Sequence, residues 1–160
     1  LETNPPVQAA HAGREGIDMG KVVEVVLTGI RREDFNGDDG PLKVSGGLWG
    51  VTYDVESAPV NRVEIFTFPD GPVRFAHNEV VQIGTDARFE MTTGEAHEHY
   101  PQFIKFGGEL RIEGSFPQQQ FEILPSIYVS NENPRKYRVR FGSSDTEFRC
   151  DFTVRFVHFL

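Results

Sequence analysis

The chain has 160 residues, enough for one domain whose core can fold without staples. Its formal net charge of −8 and lack of any basic run argue against nucleic acid as a partner, and against an anionic bilayer unless a cation bridges the two. Cys150 is the single cysteine, so no internal disulfide can form, and no apolar run reaches the ~20 residues that span a bilayer as a helix.

Residues 1–20 carry two prolines, three glycines and no periodicity, and read as a flexible arm ahead of a single domain at 21–160. The chain opens on Leu1 rather than Met and has no basic-then-apolar leader, which gives a slight preference for a processed, secreted form. KVVEVVLTGI at 21–30 is β-branched and almost continuously apolar, as in a strand covered on both faces. After the polar loop REDFNGDDGP comes a second strand, in which Gly46-Gly47 is expected to form a bulge that puts Trp49, Val51 and Tyr53 on one side. The same rhythm continues through NRVEIFTF, PVRFAH, EVVQIG, DARFEMTTG, QFIKFGGELRIEG, QFEILPSIYVS and KYRVRFG, with turn sequences such as PDG and NENP between them. In the last segment Phe148, Cys150, Phe152, Val154 and Phe156 alternate with Arg149, Asp151, Thr153 and Arg155, the period of a half-buried strand.

No eleven-residue window carries a capped helical stripe, and 14 phenylalanines suit a pleated core. The expected fold is an all-β antiparallel sandwich, jelly-roll-like, of nine or ten strands with minimal helix. KVSGGLW and KFGGELR share a Lys/Gly-Gly pattern that falls short of proving a duplicated hairpin.

Four constellations bear on function. In GEAHEHYP, Glu95, His97 and His99 alternate, and on a strand they would converge as metal ligands, a spacing similar to the His-x-His element of cupins. Gln102, Phe103 and Ile104 stand where a cupin carboxylate would follow, and Gly94 and Pro101 bracket the stretch as a loop. The loop Asp34, Asn36, Asp38, Asp39 offers hard oxygens to calcium in the manner of strand-to-strand loops of β-sandwich lectins and membrane-docking sandwiches, although Asn-Gly and Asp-Asp-Gly are also plain turn sequences. Aromatic residues form the third set: Tyr100 and Tyr128 beside turns are the expected surface rings, with His77, Asn78, Asn61 and Asp70 as polar partners for a sugar, while the lone Trp49 is expected in the core. The fourth, nucleophilic catalysis, has no G-x-S-x-G elbow, and Cys150 falls on the apolar side of its strand.

Together these point to a non-enzymatic, lectin-like recognition module. It would bind a glycan or similar polar ligand through Tyr100, Tyr128, His77, Asn78, His97 and His99 in loops at one end, with calcium as the one cofactor to consider. Two alternatives stand beside it: a jelly-roll subunit of a homo-oligomer, and a cupin-like metal enzyme using His97 and His99.

Overall fold

The computed structural model describes residues 20–35, 40–54, 56–69, 72–92, 103–125, 128–129, 134–142 and 145–160. Among them are nine strands: β1 Gly20–Asp34, β2 Leu42–Tyr53, β3 Pro59–Thr67, β4 Val73–Phe75, β5 Val80–Thr92, β6 Phe103–Ile112, β7 Gln118–Pro125, β8 Arg135–Gly142 and β9 Thr146–Phe159. They form two antiparallel sheets packed as a sandwich: four strands in the order β5-β1-β9-β8, and five in the order β3-β2-β6-β7 with β4 also on β2. There is no α-helix among the described residues. The all-β sandwich expected from the alternation is therefore the fold. Of the expected arm only Gly20 is described, and it already belongs to β1. Segments 79–84 and 86–94, read as separate strands, are one strand, β5, which continues through Gly84 at a φ of 77°.

In the middle of the smaller sheet, β1 carries a bulge. Val23, Val25 and Leu27 face inward at odd positions, whereas beyond the bulge Ile30 and Arg32 face inward at even ones. Across from them β9 alternates without a break: Leu27 pairs with Phe152, and the next inward pairs are Ile30 with Cys150, Arg32 with Phe148 and Asp34 with Thr146. The register shifts between Leu27 and Gly29, so Thr28 is the extra residue that exchanges the two faces. If β1 ran through Thr28 in regular alternation, without the bulge, Arg31 and Glu33 would point into the sandwich, and Arg32 and Asp34 into solvent.

No bulge occurs at Gly46-Gly47 where β2 meets β6, because that pairing runs unbroken from Val44–Ile112 to Tyr53–Phe103. The shifts in β2 are on its other side, against β3, between Leu48 and Trp49 and between Thr52 and Tyr53. Trp49, Val51 and Tyr53 do share a face, through simple alternation. The two Gly-Gly pairs are adjacent in space: Leu48 pairs with Gly108 and Trp49 with Gly107.

Between the sheets lies one apolar core with aromatic rings as its cross-ties. Phe75 of the five-stranded sheet meets Phe148 of the other edge-on at 5.2 Å, and Phe106 meets both Phe152 and Tyr137 at 5.3 Å. Such edge-to-face pairs contribute roughly 0.5–1.5 kcal/mol each beyond the area they bury. Cys150 is fully buried in this core, and burial pushes its thiol far above the ordinary range, as expected of an inert cysteine.

Candidate functional site

Asp34, nominated as a calcium ligand, and His77 and Asn78, nominated as glycan contacts, come together at one end of the sandwich. Asp34 closes β1, while His77 and Asn78 form the turn from β4 to β5, with Asn78 at a φ of 55°. Asp34 Oδ1 accepts hydrogen bonds from Arg32 Nε and Thr146 Oγ1, each at 2.9 Å, and its Oδ2 lies 2.5 Å from His77 Nδ1. The backbone N–H of Asp34 donates to Asn78 Oδ1 at 3.2 Å, and Asn78 Nδ2 lies 3.2 Å from His77 Nε2. Arg32 also donates from Nη1 to the carbonyl oxygens of Phe75 and Gly40, leaving Nη2 as its one nitrogen without a hydrogen bond among the described residues.

Both side chains of the Arg32–Asp34 pair are fully buried. Burial alone would raise the Asp34 pKa, but the hydrogen bonds from Arg32, Thr146 and His77, with the guanidinium charge, outweigh it and hold the carboxyl below its usual range. An ionised, desolvated pair of this kind is tolerated only because nearly every lone pair and donor has a partner. Its chemistry is that of a latch: it ties β1, the β4–β5 turn and β9 together, and the Asp34 carboxylate is already committed. Among the described residues no group of three His, Cys, Asp or Glu side chains could hold a metal ion. Asn36, Asp38, Asp39, Asp70, His97, His99 and Tyr100 lie outside the described residues.

Tyr128 lies away from this cluster. It is half exposed, with the Arg135 guanidinium 5.8 Å from its ring centroid. The adjoining Val129 accepts a 2.6 Å hydrogen bond from Lys21 Nζ at the start of β1, whereas Asp34 stands at the strand's other end. The structure therefore does not join Tyr128 to His77 and Asn78.

A different aromatic group is assembled on the outer face of the five-stranded sheet. Trp49, expected in the core, projects outward from β2 and is only partly buried. It meets Phe121 of β7 edge-on at 5.7 Å across Gly107 of β6, the residue paired with both. A Cβ on Gly107 would collide with the Gln120 carbonyl oxygen, and the residue holds a φ of 153°, so glycine is required there. Four residues along β2, Tyr53 stacks on its cross-strand partner Phe103 at 5.0 Å and 8°. Between the two aromatic rows Val51, Lys105 and the exposed Ile123 form a third. At ~3.3 Å per residue and ~4.8 Å between strands, the patch measures roughly 13 by 10 Å.

Polar groups border these rings. The Arg62 guanidinium lies 4.2 Å from the Trp49 ring centroid and pairs with Glu64 at 3.0 Å, while Lys105 Nζ lies 5.1 Å from the Tyr53 centroid. Gln119 donates to Glu109 at 3.0 Å. Phe103 and Phe121 were missed as surface rings in the sequence. The signal for them was the alternation in QFIKF and QFEIL, which sets them opposite the buried Ile104, Phe106 and Leu124. Trp49 stands outside because Leu48, Gly50 and Thr52 take the inward positions of β2, and at Gly50 even a Cβ would strike the Phe89 ring.

No known protein family matches the sequence, and no characterised protein matches it. Among solved structures, a C2 domain of a plant Extended Synaptotagmin 1 aligns with 88% of this chain and 96% of its own, at 11% identity and a TM-score of 0.40. So loose an overlap transfers no ligand or partner. The protein is a β-sandwich module on its own strand pairing.

Proposed function

We propose that this sandwich is a non-enzymatic recognition module that binds a carbohydrate chain across the outer face of its five-stranded sheet. The observation that carries the reading is the grouping of Trp49, Phe121, Tyr53 and Phe103 on one solvent-facing surface, bordered by Arg62, Glu64, Lys105, Glu109 and Gln119. Sugars present apolar C–H faces and polar hydroxyls at once, and such a surface offers ring faces and edges for the first and charged or amide groups for the second. The rings stand on three paired strands, so little conformational freedom is lost on binding. A secreted or cell-surface setting goes with this reading.

Calcium is not needed for it. The loop-end carboxylate of Asp34 is engaged by Arg32, and the aromatic face holds its own polar partners. A glycan array probed with and without EDTA tests the proposal. Binding to a defined glycan group, unchanged by EDTA and lost in Trp49→Ala, is expected. A flat profile in both conditions would sink it.

A further inference from the structure

The outer face of the other sheet carries two rows of charge of opposite design. In one, Glu24 of β1 lies between Arg88 of β5 and Arg155 of β9 in direct cross-strand register, with carboxylate-to-guanidinium distances of 3.4 and 2.5 Å. A hydrogen bond from Asp86, with the two arginines, holds Glu24 below the usual carboxylate range, while that same hydrogen bond and the Glu24 charge push Asp86 above it. Positive and negative charges alternate there, so no two like charges stand directly opposite one another.

The other row is Arg31 of β1, Arg149 of β9 and Arg140 of β8, three like charges directly opposite one another. Like charges in that relation destabilise a sheet. Their compensation is incomplete: Glu147 accepts from Arg149 at 2.7 Å and lies 3.6 Å from Arg140, and Glu33 lies 3.4 Å from Arg149. No side-chain partner engages Arg31 among the described residues, nor Lys136 further along β8. Arg138 is matched by Asp151 at 2.8 Å. Five cations thus face three acids in a chain whose net charge is −8.

Beside the row is a cleft of about 520 Å³, lined by Thr28, Lys136, Arg138, Arg140, Asp151 and Thr153. It lies where the β1 bulge displaces Thr28, whose hydroxyl donates to the Asp151 carbonyl. Guanidinium groups fork onto oxyanions in a bidentate manner, and Lys136 adds a mobile point charge.

We infer that the outer face of β1, β9 and β8 holds a second binding site, for the sulfate groups of an acidic polysaccharide, centred on Arg31, Arg140 and Lys136. The oxyanion chemistry follows from the arginine row; the choice of a polysaccharide to carry it rests on the proposed carbohydrate reading. A narrow chain fits better than an extended anionic plane, because the cations span only three strands, ~10 Å, and the acids elsewhere on the chain repel a bilayer surface.

The test is retention of the whole domain on an immobilised sulfated polysaccharide and on the same polymer desulfated, across rising NaCl. Alongside run phosphatidylserine vesicles and inorganic sulfate, with the variants Arg31→Gln/Arg140→Gln, Lys136→Gln and Trp49→Ala. Expected are retention only on the sulfated polymer, about tenfold weaker binding for the double arginine variant, a smaller loss for Lys136→Gln, and none for Trp49→Ala. Equal retention on the desulfated polymer, equal binding to the vesicles, full competition by inorganic sulfate at matched sulfate concentration, or indifference to Arg31→Gln/Arg140→Gln would each overturn it. Neutral-glycan binding lost in Trp49→Ala beside unchanged sulfate retention in the arginine variant removes the second site alone. Arginine-dependent retention with a flat neutral array removes the aromatic-face reading alone.

Discussion

The loop end of the sandwich and the outer face of its five-stranded sheet use polar groups in opposite ways. At the loop end Asp34, His77, Asn78, Arg32 and Thr146 bond to one another, and both members of the charged pair are buried. On the sheet face Trp49, Tyr53, Phe103, Phe121 and Ile123 are left with solvent-facing surface, and Arg62, Lys105, Glu109 and Gln119 border them there. Residue type alone nominates the first region, since Asp, His and Asn in a loop are the usual polar ligands. Commitment of their atoms removes the nomination and transfers it to the second. A side chain whose hydrogen bonds are satisfied within the fold must lose them before it can bind, so its affinity for a ligand is offset by that loss.

Breaking the latch should give the largest effect. Asp34→Ala leaves the Arg32 guanidinium buried without its counter-charge, and a loss of about 3–5 kcal/mol is expected in chemical denaturation. Glycan affinity of the fraction still folded should not change. The acid limb of stability gives the same distinction. Because the folded-state pKa of Asp34 lies below its unfolded value of about 3.9, its contribution is fully present above roughly pH 4 and is lost as pH falls through the folded value. Asp34→Asn should lack that limb when unfolding free energy is followed from pH 5 to pH 2.

Next is Gly107→Ala, which drives a Cβ into the β7 backbone at Gln120. Such strain costs about 1–3 kcal/mol, and the change should also spread Trp49 from Phe121, so stability and glycan binding should fall together. Trp49→Ala should separate the two: about a tenfold loss of glycan affinity, on the order of 1.4 kcal/mol, with a thermal midpoint close to that of the parent. Smallest is Arg31→Gln, which relieves one like-charge contact and should raise stability by about 0.2–0.5 kcal/mol while weakening binding to the sulfated polymer. A gain in stability with a loss of binding is the signature of a charge kept for a ligand.

Much of the architecture was legible because alternation is a local signal. The period of two in Phe148–Phe156 and the turn sequences between segments were enough to specify an antiparallel sandwich. Less legible was anything decided by a partner strand. The Thr28 bulge, which turns Arg32 and Asp34 inward, is seen only against the unbroken alternation of β9. Gly46-Gly47 resembles a bulge in sequence and is regular in its pairing with β6, because glycine there answers the close approach of the neighbouring backbone. Trp49 was assigned to the core by its size and rarity. Its outward side follows from Gly50 and Thr52 lying inward, which needs knowledge of what packs against them. The arginine row has no sequence signature at all, since Arg31, Arg140 and Arg149 are brought together by register alone.

Trp49 is the sole tryptophan of the chain, so its fluorescence reports on the proposed binding face without any label. Titration of the intact domain with a glycan selected from the array should give a saturable change in emission intensity or wavelength. The midpoint should match the affinity measured by calorimetry, and Phe121→Ala should weaken both. A glycan that binds by calorimetry while the Trp49 emission stays constant would place the ligand elsewhere and contradict the account.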